Sequence, residues 1–286
     1  MSIRIVIDST SDVTEDIINK YNLKVVPLSV NFEDKSYLDK VELSTSEFFE
    51  KLAKSEKLPT TSQVSPGAFA EVFNEILLDG DQILGIFLAS EFSGTCDSAR
   101  IAKDMTESGN IRIVDSKSVC MGTFALILKA IELVSQNKTI DEVVNELEKS
   151  KEKVVAVAAL DTLKYLEKGG RLSKGQAVIG SILNIKPVIG IKEGKLFVIE
   201  KIRGRNKTVK WFDEWIEKNG FDLSDKTVLL FHGQNYDQLK VLRERIEEKY
   251  KIKNIIEQEI GSVIGTHAGP GAVSYTHLRA HETEAD

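Results

Sequence analysis

Ile83-Leu84-Gly85-Ile86-Phe87-Leu88-Ala89-Ser90-Glu91-Phe92-Ser93-Gly94-Thr95 is the stretch on which the fold turns. Its opening run is apolar and short enough to be a buried strand. The triplet Ser93-Gly94-Thr95 follows, and the segment from there to Arg100 reads as a helix. A strand that passes through small hydroxyl residues into a helix makes an anion site. Free backbone N–H groups and the positive end of the helix dipole then face one point. Gly94 lets a ligand approach the backbone closely. Read alone, the triplet is equally an ordinary helix N-cap.

The neighbouring segments repeat this design. Ile3 to Ile7 is a strand ending in Asp8-Ser9-Thr10-Ser11-Asp12, and Ile111 to Val114 is a strand ending in Asp115-Ser116. Lys24 to Val30 reads as a further strand, followed by a polar loop to Leu43. Ser44 and Glu47 form a capping box for a helix over Thr45 to Lys54. Pro59 and Pro66 each bias the residue before them away from helix, so Leu58 to Val64 must be extended. Ser65 then caps the next helix, with Pro66 in its first turn. Helices are predicted from about Ser118 to Ser135 and from Ile140 to Lys151. Strands alternating with helices argue a parallel sheet covered on both faces, which binds ligands at the carboxyl ends of its strands.

The second half has a different character. Val154 to Leu160 is a buried strand and the crossing point between halves, and the short helix after it stops at Gly169-Gly170, ahead of Arg171. Pro187 to Ile191, Lys192-Glu193-Gly194-Lys195 and Leu196 to Ile202 together read as a hairpin. Helices around Trp211-Trp215 and Leu239–Lys249 flank a strand at Thr227 to His232, and a last strand spans Ile255 to Ile260. The predicted fold class is α/β. An N-terminal parallel-sheet α/β domain (1–152) packs on a C-terminal α+β domain with antiparallel strands (153–273). No low-complexity linker separates them, so they are expected to pack tightly.

Composition narrows the function. The 286 residues carry a formal net charge of −6, which argues against a nucleic-acid partner. No apolar run is long enough for a transmembrane segment, and the N-terminus starts a strand without a signal-peptide pattern. Cys96 and Cys120 lie in no CxxC arrangement, which fits small core residues in a reducing cytoplasm. GxxxxGK[ST], GxSxG and HExxH are missing. Gly269-Pro270-Gly271 fails as a dinucleotide signal, because Ser274 stands where a third Gly is needed and Pro270 spoils the turn. His277 and His281 are four apart but lack further ligands, so no metal is expected. Thr60-Thr61-Ser62-Gln63 sets four hydrogen-bonding side chains in a row on the extended segment, either as a solvated loop or as part of a site. Arg171 could bond the helix end before it, and His267 in its Gly-rich loop could be structural. As a set, hydroxyls, one His and a Gly-rich loop suit a carboxylate or a phosphate.

These residues resemble a known family. Val6-Ile7-Asp8-Ser9, Thr61-Ser62-Gln63-Val64-Ser65-Pro66-Gly67, Ser93-Gly94-Thr95, Leu166-Glu167-Lys168-Gly169-Gly170-Arg171-Leu172-Ser173 and Gly265-Thr266-His267-Ala268-Gly269-Pro270-Gly271 look like the DegV family, in family order. The resemblance implies a bacterial fatty-acid-binding protein akin to the FakB-type subunit of fatty acid kinase. It implies an acyl chain buried between or within two domains, with its carboxylate near Thr61, Ser62, Ser93, Arg171 and His267. Gly94 joins that set from the strand-to-helix turn. A separate ATP-binding kinase subunit would phosphorylate the carboxylate, so this chain itself needs no catalytic residue and no cofactor. Tail burial at about 0.8 kcal/mol per CH₂, roughly 11 kcal/mol for fourteen methylenes, would dominate affinity. Arg203-Gly204-Arg205 is a basic knot in an acidic chain, either a solvated turn or a docking point for the kinase. Two other classes stay open: an autonomous acyl- or phosphoryl-transfer enzyme using Ser93 or His267, and a lipid-sensing regulatory protein.

After Val273 the family pattern fails. Residues 274–286 are polar and read like translated adapter or cloning sequence. Such a tail is expected to leave the second sheet short of its last strand, to expose an edge and to loosen the loop carrying His267.

Overall fold

A computed structural model describes residues 2–33, 35–106, 108–173, 185–204, 207–224 and 226–278. Strand β1 (Ile3–Asp8) pairs in parallel with β2 (Lys24–Val26) on one side and with β6 (Gln82–Phe87) on the other. Strand β7 (Ile111–Asp115) extends the sheet, giving the order β2-β1-β6-β7. Val6, Ile7, Ile83, Leu84, Ile86 and Phe87 are all buried. Ile5 to Ile7 in β1 and Ile83 to Phe87 in β6 read as apolar runs because both faces of a parallel sheet are covered. Helices α3 (Pro66–Leu78) and α4 (Thr95–Thr106) pack on each other and against β6. Helix α5 (Met121–Ser135) touches β6 as well as three strands of the second sheet, β8 (Val154–Ala159), β11 (Thr227–His232) and β13 (Val273–Leu278). Lying between two sheets, it is apolar nearly all round, and the Phe124 ring meets Phe231 at 6.0 Å.

The second sheet has the order β10-β9-β8-β13-β11-β12. It is antiparallel except where β11 runs parallel to β12 (Asn254–Glu259). The predicted hairpin is β9 (Ile185–Lys192) and β10 (Lys195–Arg203). Its two-residue turn has positive φ at Glu193 and Gly194, 52° and 77°, the twist that suits right-handed strands. Trp211, Phe212 and Ile216 from one outer helix (Lys207–Lys218) cover this sheet, with Leu239, Leu242 and Ile246 from another (Tyr236–Lys249). The main core crosses between halves, taking in Ile189, Leu229, Phe231, Ile260 and Val263, so the expected tight packing is present. Among the described residues no helix is long and apolar enough to cross a membrane. Cys96 and Cys120 are buried and unpaired.

Three local expectations change. The strand expected over Lys24 to Val30 breaks at Pro27, which has no N–H to give to a ladder. Its second part, β3 (Ser29–Asn31), belongs to a separate antiparallel sheet of order β4-β3-β5, with β4 (Ser36–Leu38) inside the supposed polar loop and β5 (Thr60–Ser62) on the extended segment. Helix α5 starts at Met121 rather than Ser118, because Lys117 and Cys120 hold positive φ of 52° and 54°. The chain after Val273 does not leave the second sheet short. Ser274 to Leu278 continue β13, which lies between β8 and β11 as an interior strand rather than an exposed edge. Polarity is accommodated there by internal bonds: Ser274 Oγ donates to the Phe231 carbonyl at 3.2 Å, and the Tyr275 hydroxyl lies 3.0 Å from His277 Nδ1. Residues 279–286 of that stretch, His281 among them, lie outside the described residues.

Candidate functional site

The two Asp-Ser pairs brace the loop after β6 from both sides. Asp8, at the end of β1, accepts Leu88 N–H at 2.8 Å. Asp115, at the end of β7, accepts the Ser90 hydroxyl at 2.5 Å and Lys117 N–H at 2.9 Å. Burial works against the charge of Asp115, yet the bonds from Ser90 and Lys117 outweigh it and lower its pKa. The loop so held presents Ser93, whose Oγ lies 2.9 Å from Thr95 Oγ1 and accepts Thr95 N–H at 3.3 Å as α4 begins.

Strand β5 brings a second set of groups. Thr61 pairs with Val30 in the small sheet, and its Oγ1 lies 2.9 Å from His267 Nε2. Successive side chains on a strand face opposite ways, so Ser62 turns outward, is exposed, and accepts Asn31 Nδ2 at 2.9 Å. Strand parity thus separates Ser62 from Thr61, and Ser62 lies outside the cavity wall described below. Gln63 returns inward, donating to Ser98 Oγ at 2.9 Å. It passes so close to Gly94 that a Cβ there would sit 2.3 Å from its Oε1, so only glycine fits without moving Gln63.

Arg171 bonds the end of the helix before it and reaches across to the N-terminal half. The helix Lys164–Lys168 ends with Arg171 N–H donating to the Leu166 carbonyl at 2.9 Å and Gly170 N–H to that of Glu167 at 3.0 Å, a Schellman cap. The guanidinium bonds the Gly169 carbonyl at 2.6 Å and reaches across to the Phe92 carbonyl at 3.1 Å. It thereby ties the C-terminal half to the loop that carries Ser93.

His267 stands in the last turn of the short helix α10 (Ser262–Ala268), which packs against β3 and β5. Burial, and secondarily the Arg171 charge, push its pKa down to about 4, so the ring is neutral near pH 7. Nδ1 is buried, has no hydrogen-bond partner among the described residues, and faces Gly169, where a Cβ would come within 2.3 Å of it. Two buried carboxylates hold the start of α10: Asp12 accepts Gly261 N–H at 3.0 Å, and Asp39 accepts Ser262 N–H at 3.1 Å and its hydroxyl at 2.5 Å. Lys40 Nζ lies 2.7 Å from Asp12, offsetting part of the cost of the buried charge.

Around these groups lies a cavity of about 210 Å³. Thr61, Gln63, Ser93, Gly94, Arg171 and His267 all contribute to its wall. Apolar walls come from both halves, with Leu28, Val119 and Met121 on one side and Val157, Ile189 and Leu196 on the other. Thr61, Ser93, Arg171 and His267 are half-buried, whereas Met121, Val157 and Ile189 are buried. The arrangement combines an apolar interior with a partly accessible end of hydroxyl, guanidinium and imidazole groups. His267 and Ser93 bond other hydroxyls, Thr61 and Thr95, rather than each other. Arg203, at the far end of β10 from Leu196, is exposed and not part of this wall, and Arg205 lies outside the described residues.

The family described as uncharacterised protein, DegV family, matches residues 2–279. The chain belongs to the DegV family. A DegV domain-containing protein of Caldanaerobacter subterraneus is 38% identical over 270 residues, covering 94% of this chain and 96% of that relative. Among solved structures, a fatty-acid-binding DegV family protein from Thermus thermophilus superposes with a TM-score of 0.91 at 30% identity, over 98% of this chain and 100% of that one. DegV from Bacillus subtilis, described as a fatty acid binding protein, gives a TM-score of 0.85 at 30% identity, with the same coverage of 98% and 100%.

In this DegV-family chain some site groups carry little local signal. Gln63 stands inside the quoted motif, but its role depends on Gly94 and Ser98, and nothing in its own segment announces that. Asp12 and Asp39 meet partners 249 and 223 residues away. Their signal, an Asp at a strand end or in a polar loop, is indistinguishable from turn chemistry.

Proposed function

We propose that the protein binds a long-chain fatty acid in the cavity and presents its carboxylate to a separate ATP-dependent kinase subunit, which converts it to an acyl phosphate. The observation that carries this reading is the polarity gradient of the cavity: apolar walls from both halves lead to a half-buried cluster of Thr61, Ser93, Gly94, Arg171 and His267. An acyl chain gains roughly 11 kcal/mol gross from burying fourteen methylenes. The head group then needs only orienting hydrogen bonds, each about 1–2 kcal/mol. His267 is neutral, so it contributes a dipole rather than a charge, and Arg171 supplies the cation. Two DegV-family structures similar to this chain are fatty-acid-binding proteins, which supports the same ligand here.

The pairing of the hydroxyls supports presentation rather than chemistry by this chain. A nucleophilic Ser needs a base within hydrogen-bond reach, and His267 Nε2 is bonded to Thr61 instead. Arg203 is exposed at the end of β10 and is the proposed docking contact, with Arg205, for the kinase subunit, in the cytoplasm. Native mass spectrometry of the purified protein tests the ligand: a co-purified mass of a long-chain fatty acid is expected, and only other small molecules in the cavity would refute it. Turnover of ATP and fatty acid by this chain alone would overturn the presenting role. Arg203→Glu is expected to slow phosphorylation by the partner without changing fatty-acid affinity; an unchanged rate removes the docking role.

A further inference from the structure

A second concavity lies at the other end of α5 and shares no wall residue with the fatty-acid cavity. It is a groove of about 830 Å³ between α1 (Glu15–Lys20), the C-terminal part of α5 and the starts of β11 and β12. In a chain of net charge −6, its rim carries Lys20, Lys129, Lys153, Lys226 and Lys253, against one lining carboxylate, Glu132. Glu132 is engaged by Lys129 at 3.1 Å. Lys20 is the last residue of α1 and complements that helix end. No such helix end of their own accounts for Lys226 and Lys253, and neither forms an ion pair among the described residues. The carboxylate that Lys226 does influence, Asp222, is bonded to Ser224 N–H at 2.8 Å. The floor is apolar, formed by Ile17, Leu128, Ile131, Leu229 and Ile256.

Shape and charge select the occupant. A planar bilayer does not enter a concave groove. A compact phosphate needs donors that converge on one point, whereas these lysines are spread over α1, α5 and the segments before β8, β11 and β12. A spread cationic rim above an apolar floor matches a helix with carboxylates along its sides and aliphatic residues on one face. We propose that this groove docks an acidic amphipathic helix of a partner protein, independently of what occupies the fatty-acid cavity.

The test uses the intact chain and a fluorescein-labelled helical peptide of about 18 residues, with Leu at i, i+3, i+4 and i+7 and Glu elsewhere. Anisotropy should show saturable binding, weakened several-fold when ionic strength rises from about 50 to about 300 mM. Lys226→Glu with Lys253→Glu should weaken it about tenfold, and Lys192→Glu, outside the groove, should not. Both groove lysines are solvent-reaching, so unchanged circular dichroism and fatty-acid binding will show that the double variant is folded. Absence of saturable binding, equal binding by the double variant, or displacement by inorganic pyrophosphate would overturn the proposal. Binding to phosphatidylglycerol vesicles but not to the peptide would overturn it in favour of a lipid surface.

Discussion

Thr61→Val is the substitution that isolates the head-group end of the cavity. Valine keeps the shape and the strand preference of threonine, so β5 should still pair with β3. What is lost is one hydroxyl, 2.9 Å from His267 Nε2. Since Nδ1 already lacks a partner among the described residues, the variant leaves neither ring nitrogen with one there, a folding cost of about 1–3 kcal/mol. For the ligand, the variant removes one orienting hydrogen bond and relaxes a ring that orders its surroundings. We expect a loss of about 1–2 kcal/mol, or roughly 5- to 30-fold in Kd. The acyl-chain contribution stays intact, so binding is weakened and not abolished. Calorimetric titration with a long-chain fatty acid and with its methyl ester separates the two parts. The acid should lose affinity in the variant while the ester, which lacks the charged acceptor, should bind both proteins almost equally. If the ester loses as much as the acid, Thr61 shapes the tail cavity and the head-group assignment fails.

Three further outcomes follow from the same geometry. Because His267 titrates near 4 in the folded protein against an ordinary 6.5, the unfolded chain takes up its proton first; stability from this group is full above pH 6.5 and is lost as pH falls through about 4. The loss approaches about 3 kcal/mol, and urea midpoints of the protein and of His267→Gln should converge over that window; parallel curves would contradict it. Gly94→Ala should push Gln63 off Ser98, lowering fatty-acid affinity a few-fold by about 1 kcal/mol while the melting temperature moves little. Asp39→Ala should cost about 2–3 kcal/mol in thermal or urea unfolding by stripping the Ser262 N–H and hydroxyl of the acceptor they share, and an unchanged midpoint would show that α10 is held by packing alone.

Features written in neighbouring residues were legible in the sequence. The hairpin around Glu193-Gly194, the capping box of Ser44 and Glu47, the Ser65 cap and the helix stop at Gly169-Gly170 all depend on partners a few residues away. Features set by distant partners were not. Thr61 and Ser62 look alike in the sequence, and only the register of β5 against β3 decides which one faces inward. The single strand expected over Lys24 to Val30 ran through Pro27, where β2 in fact ends, and the small sheet that follows needed the pairing of β3 with two later segments. The polar residues after Val273 suggested solvent, yet Tyr275 and His277 satisfy each other in the interior.

The position of β13 bears on how the chain is assembled. It is the last strand in chain order among the described residues, yet it occupies the middle of its sheet, between β8 and β11. Until it has left the ribosome, β8 and β11 each present an unpaired edge, and the face of α5 that they cover together stays incompletely shielded. The N-terminal parallel sheet and the β9–β10 hairpin can form during synthesis. The second sheet closes only when its keystone strand arrives, and misreading or loss of the residues after Val273 would be felt there first.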